Sequence, residues 1–478
     1  VALILIFSGM NSSRRLMRRL SGGALVLLAV FAACAPEIVE EPFEPTASHA
    51  GYREALVRLE LDSAELGERW IAASQQALIA PVLVETPYRE LMLFDPSDPQ
   101  AVGYRFEAER GRRITVTVES ELSRYFADIF RVPEDGEPVL VASRPPDGSM
   151  IIFEPRNDAT YLLRLQPELL RGGRFSVEIV AEASLSFPVE GVGPQAILSF
   201  YGDSRDAGLR MHEGIDIFAP RGALILAASD SVVQRVGERD RGGNIVTLYD
   251  EERELMLYYA HLEEQLVRRG DRVSAGDPIG TNGNTGNAIT TPPHLHIGLY
   301  QGGWRGDVDP WNYFVDPPLI EPPPVQTPEL AGQWVQLASD AVLEPSVPAP
   351  VTTPRYINFN PLLRGRRVQE PDSAVESEVA PASSAAAGTA VRVSAVAWRY
   401  ARVQSADGSF GTVPVSSLVA ADATELPLPA PVTARDPWTG DEIARLEAGT
   451  LVAYLGEGAD GSSIAALPNG RIALLPSP

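Results

Sequence analysis

Across residues 50–79 the apolar residues Leu56, Leu59, Leu61, Leu66, Trp70, Ile71 and Leu78 recur at threes and fours. The spacing predicts one amphipathic helix, or two short ones, closing a 35–80 segment. From residue 82 the period drops to two. GYRFEAE, RITVTVES, ADIFRV, PVLVAS, MIIFEP, TYLLRLQ and RFSVEIV are short β-rich runs separated by Gly, Pro, Asp and Asn turns. Regular short strands of this kind predict a β-sandwich over 81–186. A second strand-rich stretch follows over 187–315, with ALILAA, SVVQRVG, NIVTLYD, LMLYYAHL and HLHIGLY between Gly/Asn-rich loops. Residues 316–330 are a Pro-rich, semi-rigid linker. Beyond it two small β-rich modules are expected, 331–420 and 421–478, because Asp407–Pro414 aligns with Asn469–Pro476 as turn plus short strand. The low-complexity stretch 371–388 reads as an insertion in the first module. The fold class is therefore mainly β and multidomain.

At 478 residues the chain is too long for one ordinary core. Its net charge of -23 argues against a nucleic-acid partner, which needs a basic face. The single cysteine excludes an internal disulfide framework. Residues 1–9, ahead of Met10, read as translated upstream sequence. From Met10, four arginines (Arg14, Arg15, Arg18 and Arg19) precede an apolar run from Ala24 to Ala33, and small residues lead to Cys34. That is a signal-peptide pattern over 10–34. Its Ala32-Ala33-Cys34 ending resembles a bacterial lipobox, which implies lipidation of Cys34 and a membrane anchor; Phe31 stands where leucine is usual. The acidic, Pro-rich residues that follow Cys34 form a tether. The expected location is the cell envelope, as an exported, lipid-anchored protein.

Four of the five histidines lie in one window: His212, His261, His294 and His296. On a strand, residues two apart face one side, so His294 and His296 point into one site while Leu295 points to the core. His212 and Asp216 are four apart, but Gly214, Ile215 and Ile217 argue for a loop running into a strand. A catalytic zinc keeps three protein ligands and one open position. His212, Asp216 and one of the final pair suit that set. The remaining histidines are then free for proton transfer or charge stabilisation. Asn282, Asn284 and Asn287 read as turn residues.

The pattern His212-x-x-x-Asp216, Tyr259-Ala260-His261-Leu262 and His294-Leu295-His296 resembles the lysostaphin/LytM-type zinc endopeptidases. Gly214-Ile215-Asp216-Ile217, Ala219-Pro220-Arg221-Gly222, Gly276-Asp277-Pro278-Ile279-Gly280 and Asp307-Val308-Asp309-Pro310 support it. The chain departs from the family at Thr291-Pro292-Pro293 and at Ile297-Gly298, where Phe-Glu is common. The resemblance implies that His212, Asp216 and His296 bind Zn²⁺. It implies that a zinc-bound water is the nucleophile, His294 the general base, and His261 an oxyanion donor or an aid to the base. It further implies a narrow antiparallel β groove and hydrolysis of peptide bonds in peptidoglycan cross-bridges or stem peptides. The alternative is a non-catalytic or auto-inhibited envelope lipoprotein that scaffolds or activates other wall hydrolases. The 81–186 segment resembles the jelly-roll domains beside secreted peptidases, and the C-terminal modules resemble bacterial SH3-like wall modules. The sequence leaves the oligomeric state open.

Overall fold

The computed structural model describes residues 48–476, apart from 348–382 and residues 123, 147, 303, 305, 407–408, 422–423, 459–460 and 470. The leader, Cys34, the tether and most of the low-complexity insertion lie outside the described residues. The described part is mainly β. No described helix is long and apolar enough to cross a membrane.

The 50–79 region forms two helices, α1 (His49–Arg58) and α2 (Glu65–Ile79). Ser48 caps α1, its Oγ accepting from Gly51 N at 3.1 Å. Trp70 of α2 is fully buried and its Nε1–H donates to Pro167 O at 2.8 Å, fixing the helix on the strands behind it. His49 stacks on that indole, 4.7 Å between centroids, and donates through Nε2 to Gln166 Oε1 at 2.7 Å.

Residues 82–183 form two facing sheets. One runs Val82–Leu83, Val102–Ala108, Ala159–Pro167, Tyr125–Val132, Val139–Ser143. The other contains Tyr88–Phe94, Gly173–Ala183, Arg112–Ser120 and Met150–Phe153. Alternation places Ile114, Val116, Phe175, Val177 and Ile179 in the shared core, each worth roughly 1.5–3 kcal/mol of burial. The second sheet does not end there. Leu91 pairs with Val396 and Met92 with Ala395, so it continues into Ala390–Ala397, Tyr400–Ser405 and Phe410–Pro414. The fully buried Glu90 takes a two-pronged ion pair from Arg402 across this junction, at 2.7 and 2.9 Å. A separate sheet of short strands covers Thr424–Leu475.

The histidine window builds its own antiparallel sheet, in the order Ile197–Ser199, Ile215–Phe218, His294–Gln301, Leu255–Leu262, Gly243–Asp250, Ser231–Arg239, Arg272–Val273. Its core is aliphatic, with Ile215, Ile217, Leu295, Ile297, Leu257 and Leu248 fully buried. The sandwich docks on this sheet through Arg253–Glu154 (2.7 Å) and Arg156–Glu254 (2.5 Å), at the turn before Leu255. The histidines sit at the other end of the same strands.

Candidate metal centre and peptidase domain

Strand register carries the site. Asp216 pairs with His296, and His296 with Ala260, so the carboxylate and the imidazole stand side by side on one face. His212 lies just before the Ile215–Phe218 strand and returns to the same point. Gly214 is required for this approach: a Cβ there would lie 2.9 Å from the His296 ring and 2.3 Å from Ile297 O. His212 Nε2, Asp216 Oδ1 and His296 Nδ1 then converge. His212 Nε2 is 2.9 Å from His296 Nδ1 and 3.1 Å from Asp216 Oδ1, and His296 Nδ1 is 3.0 Å from Asp216 Oδ1.

Each approach is prepared from behind. His212 Nδ1–H donates to Phe200 O at 2.8 Å, which aims the Nε2 lone pair at the cluster. Three lone-pair atoms facing one another are costly unless a proton or a cation sits among them. A tetrahedral ion with ligands at about 2.0–2.1 Å would hold its donors roughly 3.3–3.4 Å apart, close to the spacing here. The donor set of two imidazoles and one carboxylate is the type that binds zinc. Burial would raise the Asp216 carboxyl, but the adjoining His212 and His296 side chains hold it well below the usual carboxylate range. Burial pushes His296 down, against the opposing pull of Asp216. The neutral imidazole this favours is the form that ligates metals.

The other two histidines stand beside this trio. His294 Nδ1–H donates to Pro292 O at 2.9 Å, and the ring stacks on Phe218 with centroids 5.0 Å apart. His261 Nδ1–H donates to Thr285 O at 2.9 Å. In both, Nε2 is left with a lone pair. The two rings are 5.0 Å apart, and His261 is 6.0 Å from His296. His261 adopts φ +64, a left-handed conformation few non-glycine residues take, and its N–H is held by Gly242 O at 2.7 Å. Burial, with the neighbouring His296 and His294, pushes its pKa down to about 4. The structure thus brings His212, Asp216, His261, His294 and His296 together. Of the asparagines, the fully buried Asn282 donates from Nδ2 to Ala219 O at 2.7 Å, a loop-holding role.

Residues 210–310 match the family model described as Peptidase family M23. The chain carries an M23 peptidase domain. The chain is 40% identical over 95 residues to the peptidoglycan DD-endopeptidase ShyC of Vibrio cholerae, covering 20% of this chain and 21% of that protein. It is 33% identical over 123 residues to the L-Ala--D-Glu endopeptidase of Bacillus subtilis, covering 24% and 36%. Among solved structures, the catalytic domain of lysostaphin from Staphylococcus simulans is 32% identical, with a TM-score of 0.22, covering 23% of this chain and 85% of that one. The chain spans only about a fifth to a third of the length of these curated relatives.

One residue that sequence reasoning passed over lies just ahead of the M23 domain. Arg205 Nη2 donates to Asp216 Oδ2 at 2.9 Å and also reaches Ser199 Oγ. It occupies the carboxylate oxygen turned away from the cluster, leaving Oδ1 for the convergence point. In a chain whose basic residues are so often arginine, nothing local marks this one. Its position follows from a short hairpin, Ser204–Arg205 against Arg210–Met211, that folds it back.

Proposed function

We propose that this protein is a zinc metalloendopeptidase that cleaves peptide bonds in peptidoglycan cross-bridges or stem peptides. The observation that carries this reading is the convergence of His212 Nε2, Asp216 Oδ1 and His296 Nδ1 inside an M23 domain, with two further imidazoles presenting Nε2 beside them. The relatives named as a peptidoglycan DD-endopeptidase and an L-Ala--D-Glu endopeptidase support the substrate class. His212, Asp216 and His296 would hold the zinc. When bound, the ion supplies Lewis acidity and lowers the pKa of water toward ~7.

His294 is the general base: its ring is locked by Pro292 O and Phe218, so Nε2 is held ready to take a proton from the attacking water. His261 has its Nδ1–H committed to Thr285 O, so its Nε2 is an acceptor. That favours helping His294 to hold the proton over donating to the oxyanion. Arg205 steadies Asp216. The leader over 10–34 and a lipidated Cys34 would place the enzyme in the envelope, and the C-terminal SH3-like modules would keep it near the wall.

The test is digestion of purified sacculi by lipid-free protein with zinc, beside a His212→Ala control, with new termini identified by mass spectrometry. New peptide termini absent from the control are expected. Intact sacculi with zinc bound would overturn the wall substrate.

A further inference from the structure

The face of the M23 sheet that carries His296 extends well past the histidines, and its far end carries free positive charge. Gly298 pairs with Tyr258, Tyr258 with Thr247, and Thr247 with Arg235. Directly paired residues present their side chains on one face. This row therefore lies beside the Asp216–His296–Ala260 row and shares its face, as the Tyr258 ring confirms by standing edge-on to His296 at 6.1 Å. From Arg235 to Arg239 the pairing with Gly243–Thr247 runs without a shift. Arg239 thus shares the face with Arg235, while Glu238 points the opposite way. Both arginines are exposed, and neither has an ion-pair partner among the described residues. Arg205, Arg221 and Arg253, around the same domain, all pair with carboxylates.

Two observations link this end to the site. The Tyr258 hydroxyl lies against Gly242 at the tip of the Arg239–Gly243 hairpin: a Cβ at Gly242 would fall 2.1 Å from it. The same tip holds His261 through Gly242 O. Between Tyr258 and Arg235, the Thr247 hydroxyl is buried with no hydrogen-bond partner.

We propose that Arg235 and Arg239 form a carboxylate subsite of the groove. It selects peptides that carry a free carboxylate about four residues from the scissile bond. The inference rests on the endopeptidase reading above. The distance follows from topology: three strand spacings separate His296 from the Arg235 strand, roughly 14 Å, the span of about four extended residues. Its value to the enzyme follows from charge. A chain of net charge -23 repels acidic substrates at long range, and two unpaired guanidiniums at the groove end reverse that locally.

The experiment compares kcat/KM on cross-linked muropeptide dimers in two forms, native and with carboxylates converted to methylamides. Wild-type protein should favour the native form roughly ten-fold, and added salt should shrink that preference. Arg235→Gln with Arg239→Gln should erase the ratio by slowing only the native form, with zinc content unchanged. A wild-type ratio near one, a ratio unchanged in the double variant, or equal slowing on both forms overturns the subsite. If the wild type cleaves neither form, the endopeptidase reading fails, and calorimetric binding of the native dimers decides the subsite separately. Weaker binding by the double variant upholds it, and equal binding overturns it.

Discussion

His49 on α1 and the four histidines of the M23 domain are all in or near the protein interior, yet their surroundings differ in kind. His49 stacks on Trp70, meets Phe126 edge-on, and gives its Nε2–H to Gln166, whose own amide donates to Trp70 O. Its exposed polarity is spent on one neutral acceptor. In the M23 domain, backbone carbonyls tie Nδ1 of His212, His261 and His294, and His212 Nε2 turns toward Asp216 Oδ1 and His296 Nδ1, with the other two rings standing beside them. Burial lowers the pKa of His49 and His261 alike to about 4. A displaced pKa therefore does not separate packing from chemistry here. Convergent lone pairs do.

Breaking the convergent set should have the largest effect. His212→Ala is expected to abolish cleavage, by at least about a thousand-fold, and to remove zinc, measured by metal analysis of the purified protein. Chelation of the wild type should do the same, and zinc should restore it. His294→Ala should slow turnover by roughly 10²–10⁴-fold with zinc retained, a split that distinguishes a proton acceptor from a ligand. Arg205→Gln should weaken zinc affinity about 10–100-fold in a competition titration, because Asp216 loses the partner that orients it.

The smallest effect on activity belongs to His49. Its folded pKa lies below the ordinary 6.5, burial being the main cause and the Arg164 charge the next. The neutral form is thus favoured by folding. The stability it contributes is complete above pH 6.5 and is lost as pH falls toward about 4, amounting to about 3 kcal/mol. Urea midpoints at pH 7.5 and 4.5 should show this loss in the wild type and a smaller one in His49→Phe. Activity at neutral pH should change less than about two-fold in that variant.

The difference between the two settings also governs what could be read before the structure. Strand alternation placed His294 and His296 on one face because period two is a local property. The return of His212 and Asp216 to that face depends on loop shape and on Gly214 admitting the His296 ring, so spacing made them candidates without fixing the meeting point. Arg205 depends on a short hairpin ahead of the domain and was invisible to periodicity. The Gly298–Tyr258–Thr247–Arg235 row was out of reach for a sharper reason. Register shifts at Val233/Arg235 and Asn244/Val246 change which residues face the groove, and no local pattern announces a bulge. The helical 50–79 region and the mainly β class, by contrast, followed from periodicity and turn residues, while the break between α1 and α2 did not: the spacing fitted one helix or two.

The pairing of Leu91 and Met92 with residues near 395 has a consequence for biosynthesis. The Tyr88–Phe94 strand is made early, while its outer neighbour Ala390–Ala397 emerges only after the whole M23 domain. Joining them closes a loop of roughly three hundred residues, at a chain-entropy cost of about 5 kcal/mol. Until then an apolar strand edge, with Glu90 still awaiting Arg402, stands open to any other chain. A protease cutting after residue 330 would leave an M23 domain whose neighbour is a half-finished sheet open to self-association.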